Sequence, residues 1–135
     1  MRGDDVVVML TSVGTEDQGL DVGEALVVRG QAACVNMVPS VRSIYRWKGK
    51  VCEDTEYILV IKTLARHFKG VADTIREINT YELPEILSFS VRDAEARFCE
   101  WIVKGVAKNP GGARKASRRK PAISKRRKRS VQVRK

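Results

Sequence analysis

The chain has 135 residues, enough for one ordinary domain with a single core. Its +10 formal charge is unevenly placed: residues 1–107 hold thirteen Lys and Arg against all sixteen Asp and Glu, a formal −3, while residues 108–135 hold the other thirteen bases and no acid, a formal +13. No apolar run approaches the ~18 residues of a membrane span, and Cys34, Cys52 and Cys99 form neither an even set nor a CxxC pair, which argues against a disulfide framework.

The N-terminal MRGDDVVVML puts two acids ahead of a short apolar run, a poor signal peptide. Together with the cysteine usage, this reads as a soluble protein of the cytoplasm with no membrane partner. The run VVVML at residues 6–10 predicts a central strand buried on both faces. Thr15-Glu16-Asp17-Gln18 matches a capping box with acids in the first turn. Leu20, Val22, Ala25, Leu26 and Val28 then give a helix ending near Gly30. Gly19 and Gly23 each cost that helix roughly 1 kcal/mol against alanine, which points to close packing on a sheet.

A second strand runs over residues 32–47, and Pro39 within it marks a bulge or an edge. Lys48-Gly49 is a tight turn, and the chain returns as a third strand over residues 51–63. Its ILVI stretch, residues 58–61, is again expected to be covered on both faces. Phe68, Val71, Ile75 and Ile78 are spaced for an amphipathic helix. The single histidine, His67, opens that helix between Arg66 and Phe68 and reads as solvated. Pro84 ends any helical continuation, and residues 85–91 give a fourth strand. Asp93 is the expected N-cap of a last helix with Phe98, Trp101, Ile102 and Gly105 on one side. Cys34 and Cys99 read as packing residues, and Cys52 as exposed. Beyond Lys108 the pattern stops, and residues 108–135 read as a disordered polybasic tail on a domain of residues 1–107.

The order strand, helix, strand, strand, helix, strand, helix predicts an α+β, ferredoxin-like split βαβ arrangement: one antiparallel sheet with helices on one face. Residues 33–47 would span about 50 Å as a strand, whereas a domain of about 100 residues is about 35 Å across. The hairpin must then project, or else curl over its own sheet. Ile44, Tyr45 and Trp47 near its tip would be costly to leave wet, and exposed strand edges invite pairing. The simplest partner is another copy of the chain.

Several segments carry a resemblance. Gln31-Ala32-Ala33-Cys34-Val35-Asn36 with Pro39, Ser43-Ile44-Tyr45-Arg46-Trp47-Lys48-Gly49-Lys50, Glu53-Asp54-Thr55-Glu56, Ile61-Lys62-Thr63, Tyr81-Glu82-Leu83-Pro84-Glu85-Ile86 and Trp101-Ile102 follow one another in order. Over residues 5–106 they resemble the CutA family, the divalent-cation tolerance proteins. The resemblance implies a homotrimer joined through the long hairpins, clefts between subunits, and a link to tolerance of copper and other divalent cations. It places Glu56 as a metal ligand and Tyr81 and Glu85 in an intersubunit cleft. It departs from this chain at two ligand positions: Asn79 stands where the family has a histidine, and Leu10 where some members have a cysteine. Imidazole and thiolate hold copper well, and a single carboxylate does not make a tight site.

No nucleophile partner for the single histidine and no phosphate-cradling glycine loop are evident, so an enzyme fits poorly. The expected function is a non-enzymatic trimer in divalent-metal tolerance, with copper or another divalent cation as possible ligand. Two alternatives stand beside it. One is a small-ligand sensor of the PII type, acting through the Tyr81 cleft. The other is a nucleic-acid or polyanion binder acting through Arg118, Arg119, Lys120, Lys125, Arg126, Arg127, Lys128 and Arg129, which would contact phosphates without reading sequence.

Overall fold

The computed structural model describes residues 3–110. It contains β1 (Val6–Val13), α1 (Glu16–Val28), β2 (Cys34–Trp47), β3 (Lys50–Leu64), a 3-10 turn (Ala65–His67) running into α2 (Phe68–Ile78), β4 (Leu87–Ser90) and α3 (Ala96–Gly105). The sheet order is β2-β3-β1-β4, with every neighbouring pair antiparallel. This is the expected split βαβ order.

Local signals set most of the boundaries. Thr15 caps α1, its side chain accepting the Gln18 N–H at 3.1 Å. Gly30 follows α1 at φ 73°, in the left-handed region that ends helices. Lys48 and Gly49 both have positive φ, 52° and 81°, the pairing a two-residue hairpin turn requires. Gly19 and Gly23 do press on the sheet: an added methyl would meet Met37 and Val13 at the first, and Val35 at the second.

One face of the sheet is sealed. Val7, Met9, Val13, Leu59 and Ile61 pack against Val22 and Leu26 of α1 and Val71 and Ile75 of α2. The opposite face is not. Alternation along the strands places Val8, Leu10, Ile58 and Val60 there, all only half-buried, beside Leu87 and Phe89, which are 47% and 49% exposed. The expectation of two-sided burial for residues 6–10 and 58–61 therefore fails within one chain. Two helices cover only one face of the sheet, and α3 reaches only the end of the other, where Ile102 packs with Leu64, Val106, Val6 and Ala33.

Three further expectations are corrected. The fourth strand is four residues, not seven, because only Leu87–Ser90 pair with β1. Glu95, not Asp93, caps α3, accepting the Phe98 N–H at 2.7 Å. Of the α3 residues expected on one side, Ile102 is buried, while Phe98 and Trp101 stack on each other and stay exposed.

His67 is the fourth correction. It is 2% exposed, and its Nε2 lies 2.8 Å from the Ala107 carbonyl oxygen. The chain after α3 folds back over the 3-10 turn: Ala107 N–H donates to Gly30 O at 2.7 Å, and Arg66 reaches the same Ala107 carbonyl at 3.2 Å. Arg66 also pairs with Asp4, and its N–H donates to Gly3 O at 3.0 Å.

The hairpin holds one irregularity that matters later. Val38 pairs with Ile58 and Val41 with Glu56, so Pro39 and Ser40 together oppose Tyr57. This is a β-bulge on the edge strand, and Ser40 takes φ 54° to form it. The bulge absorbs one residue and switches the faces of β2. Before it, Val35 and Met37 pack on the core. After it, Val41, Ser43, Tyr45 and Trp47 share a face with Glu56, on the opposite side of the sheet.

The bulge and the buried histidine can each be tested. A β-branched residue resists positive φ, so Ser40→Val should cost about 1–2 kcal/mol in urea melts, while Ser40→Gly should cost nothing. Burial, the largest effect, holds the His67 pKa below its ordinary 6.5; the Ala107 carbonyl opposes this and the Arg66 charge adds to it. The unfolded chain therefore takes up the proton first, and this stability is fully present above about pH 6.5 and lost as pH falls through the folded value. Urea melts from pH 7.5 to 5 should show a smaller acid loss in His67→Gln than in the wild type.

Candidate functional site

The hairpin, the end of β1 and the loop between α2 and β4 enclose a cleft of about 700 Å³. Ser12 contributes from β1, Ser43, Tyr45 and Trp47 from β2, Lys48 from the turn and Glu56 from β3. Tyr81, Glu82, Leu83 and Glu85 come from the loop. The hairpin side chains face the cleft because the bulge has turned them to the face opposite α1 and α2.

The floor is a hydrogen bond. The Tyr81 hydroxyl donates to Glu56 Oε2 at 2.6 Å. Gly14 lies beside this ring: a methyl there would make ordinary contact with it, 3.4 Å from the Tyr81 oxygen. Asn79 fixes the loop from behind. It is 7% exposed, its Nδ2 donates to Ser12 O at 2.9 Å, and its Oδ1 accepts the Tyr81 N–H at 2.9 Å. Thr80 accepts a weaker bond from Gln18 Nε2 at 3.4 Å. Asn79 thus occupies the histidine position of the resemblance as a buried brace, with both ends of its carboxamide engaged.

The rim is looser. Lys48 Nζ stands 5.7 Å from the Trp47 ring centroid and 3.9 Å from Glu82 Oε1, and both charged side chains are mostly exposed. Tyr45 hydrogen-bonds to Asp54 across the hairpin, and Arg42 pairs with Glu53.

The structure brings Glu56, Tyr81, Glu85, Tyr45, Trp47 and Ile44 together at this one cleft. Their sequence positions had suggested three separate roles: a metal ligand, a cleft and a trimer contact. Ser12, Lys48 and Glu82 were not foreseen as lining, and Asn79 was seen only as a departure from the family. The signal for Glu82 was present, since it adjoins Tyr81 on the same loop.

Among the described residues, no three His, Cys, Asp or Glu side chains converge to hold a metal ion. Cys34, Cys52 and Cys99 are free thiols, each half-buried, so Cys52 is less open and Cys34 less enclosed than expected. Cys34 Sγ lies 3.7 Å from Asn36 Oδ1, which also accepts from Lys62 Nζ at 2.7 Å. Leu10 lies on the half-covered face of β1. No helix among the described residues is long and apolar enough to cross a membrane. Arg118, Arg119, Lys120, Lys125, Arg126, Arg127, Lys128 and Arg129 lie outside the described residues.

Comparison with known proteins bears on this arrangement. Residues 7–105 match the family model described as CutA1 divalent ion tolerance protein. A divalent-cation tolerance protein CutA from Thermus thermophilus is 35% identical over 95 residues, 70% of this chain and 92% of that protein. A CutA homolog from Xenopus laevis is 38% identical over 82 residues, 61% of this chain, and there the match spans only 54% of the relative's length. Among solved structures, CutA1 from Oryza sativa superposes with a TM-score of 0.76 at 26% identity, covering 78% of this chain and 96% of that one. The divalent cation tolerance protein from Thermus thermophilus gives 0.74 at 32% identity, covering 76% and 99%. The motifs read along the hairpin and the Tyr81 loop, the family match over most of the chain and the shared fold agree: this chain belongs to the CutA1 divalent ion tolerance family.

Proposed function

We propose that this chain serves divalent-ion tolerance in the cytoplasm as a homotrimer that binds, rather than turns over, a small ligand in the cleft beside its hairpin. The observation that carries this reading is the Tyr81–Glu56 hydrogen bond, which fixes a carboxylate at the floor of a 700 Å³ cleft. A space of this size, with a few placed polar groups between aromatic walls, is the usual form of a small-molecule site. A divalent cation, copper among them, would meet Glu56 as a single carboxylate ligand rather than a cage of converging donors among the described residues.

The trimer is supported by what one chain leaves uncovered. Val38, Leu87 and Phe89 on the open face, with Ile44 and Val51 on the hairpin, are 43–72% exposed. Apolar surface of that extent marks association. Closed rotational symmetry would let each copy cover the next with the same patch.

Light scattering on the full chain should give three times the 15.1 kDa chain mass; a monomer mass would overturn the trimer. Calorimetric titration of Cu²⁺ into the reduced full chain should show a saturable heat that Glu56→Ala loses. A heat unchanged in that variant would remove Glu56, and the cleft with it, from the response to metal.

A further inference from the structure

The charges of the cleft are spread rather than focused. Glu56 lies on its floor, while Glu82 and Glu85 line the loop side, with Lys48 the only base among the lining residues. A bare divalent ion needs several donors meeting at one point. These carboxylates do not form such a group, as no three acidic, His or Cys side chains converge among the described residues. Distributed negative charge beside aromatic rings suits a larger cation whose own charge is spread. Trp47, Tyr45 and Tyr81 supply the rings.

The chain already displays such a contact. The Lys48 ammonium stands over the Trp47 ring and next to Glu82, a cation held between a π-face and a carboxylate. Both charged partners are more than 70% exposed, so the contact is weak and easily displaced. A ligand cation that displaced this ammonium would gain the same two partners, the Trp47 ring and the Glu82 carboxylate.

We propose that the cleft accepts a flat organic cation of the amidinium or guanidinium class, seated on Trp47 and balanced by Glu82, Glu85 and Glu56. The inference rests on reading the cleft as the binding site, and it names the ligand's chemistry. A metal ion drawn to Glu56 would compete with this ligand, which ties the cleft to divalent-ion tolerance without a dedicated metal cage.

The test uses three probes of one shape and different charge: benzamidinium, benzamide and benzoate. Each is titrated by calorimetry and ligand-observed NMR into the full chain at pH 7 and about 0.15 M salt, which screens the basic tail. Benzamidinium should bind at least about tenfold tighter than benzamide, with benzoate weakest. The Glu82→Gln/Glu85→Gln double variant should lose most of that preference while keeping its benzamide affinity. Trp47→Leu should weaken both benzamidinium and benzamide. Equal affinity for benzamidinium and benzamide, a preference for benzoate, a preference unchanged in the double variant, or no saturable benzamidinium binding would each overturn the proposal.

Failure of the broader reading looks different. A monomer mass, or a Cu²⁺ heat indifferent to Glu56, would remove the trimer or the metal link. Charge-selective benzamidinium binding would still stand, because all the named residues come from one chain. A Glu56-dependent Cu²⁺ heat without charge selectivity would sink the ligand class alone.

Discussion

The cleft depends on the bulge at Pro39-Ser40. A strand has a period of two, so the same parity of residues would face one side from Cys34 to Trp47 in an unbroken ladder. Here the early part of β2 must bury Val35 and Met37 under α1, and the late part must turn Tyr45 and Trp47 to the other side. One absorbed residue satisfies both. Proline has no N–H to give, and it sits on an edge strand where a missing ladder bond costs least. Ser40 accepts a left-handed backbone next to it. The core of the domain and the wall of the cleft are thus two faces of one strand, exchanged at a single point.

Around that point the domain divides its labour. The face under α1 and α2 is dry and close-packed, and it supplies the stability. The other face is apolar yet half-open, and it carries Glu56, Ser12 and the Tyr81 loop. Asn79 links the two, since it caps α2 through its backbone while its side chain holds Ser12 and Tyr81. The placement of the Tyr81 hydroxyl on Glu56 is therefore set by the end of a core helix rather than by the loop alone.

Much of this was legible in the residues. The order of elements, the Lys48-Gly49 turn, the Thr15 cap and the irregularity at Pro39 each have a local cause, and local causes can be read in sequence. His67 could not be read in this way. Its neighbours Arg66 and Lys69 suggested solvent, but it is covered by Ala107, forty residues further on. The split between Asp93 and Glu95 as helix cap is a two-residue ambiguity that either carboxylate could have resolved. Continuous apolar runs were read as doubly buried strands, and one chain supplies helices for only one side. Residues that line the cleft stand out singly in the sequence, each with a different expected role, and not as a constellation. Glu56, Tyr81 and Trp47 are brought together by the pairing of β3 with its neighbours and by a loop whose path the sequence does not state.

Arg66 gives the domain one more property. Its side chain holds Asp4 near the start of the described chain and the Ala107 carbonyl near the end, while its backbone binds Gly3. Segments a hundred residues apart are thus fastened at one corner, on the side of His67. Pulling on either of these described segments therefore loads contacts of this one residue. The cleft lies around Ser12 and Glu56 at the opposite end of β1 and β3, so a load on this corner reaches it only through the length of the sheet.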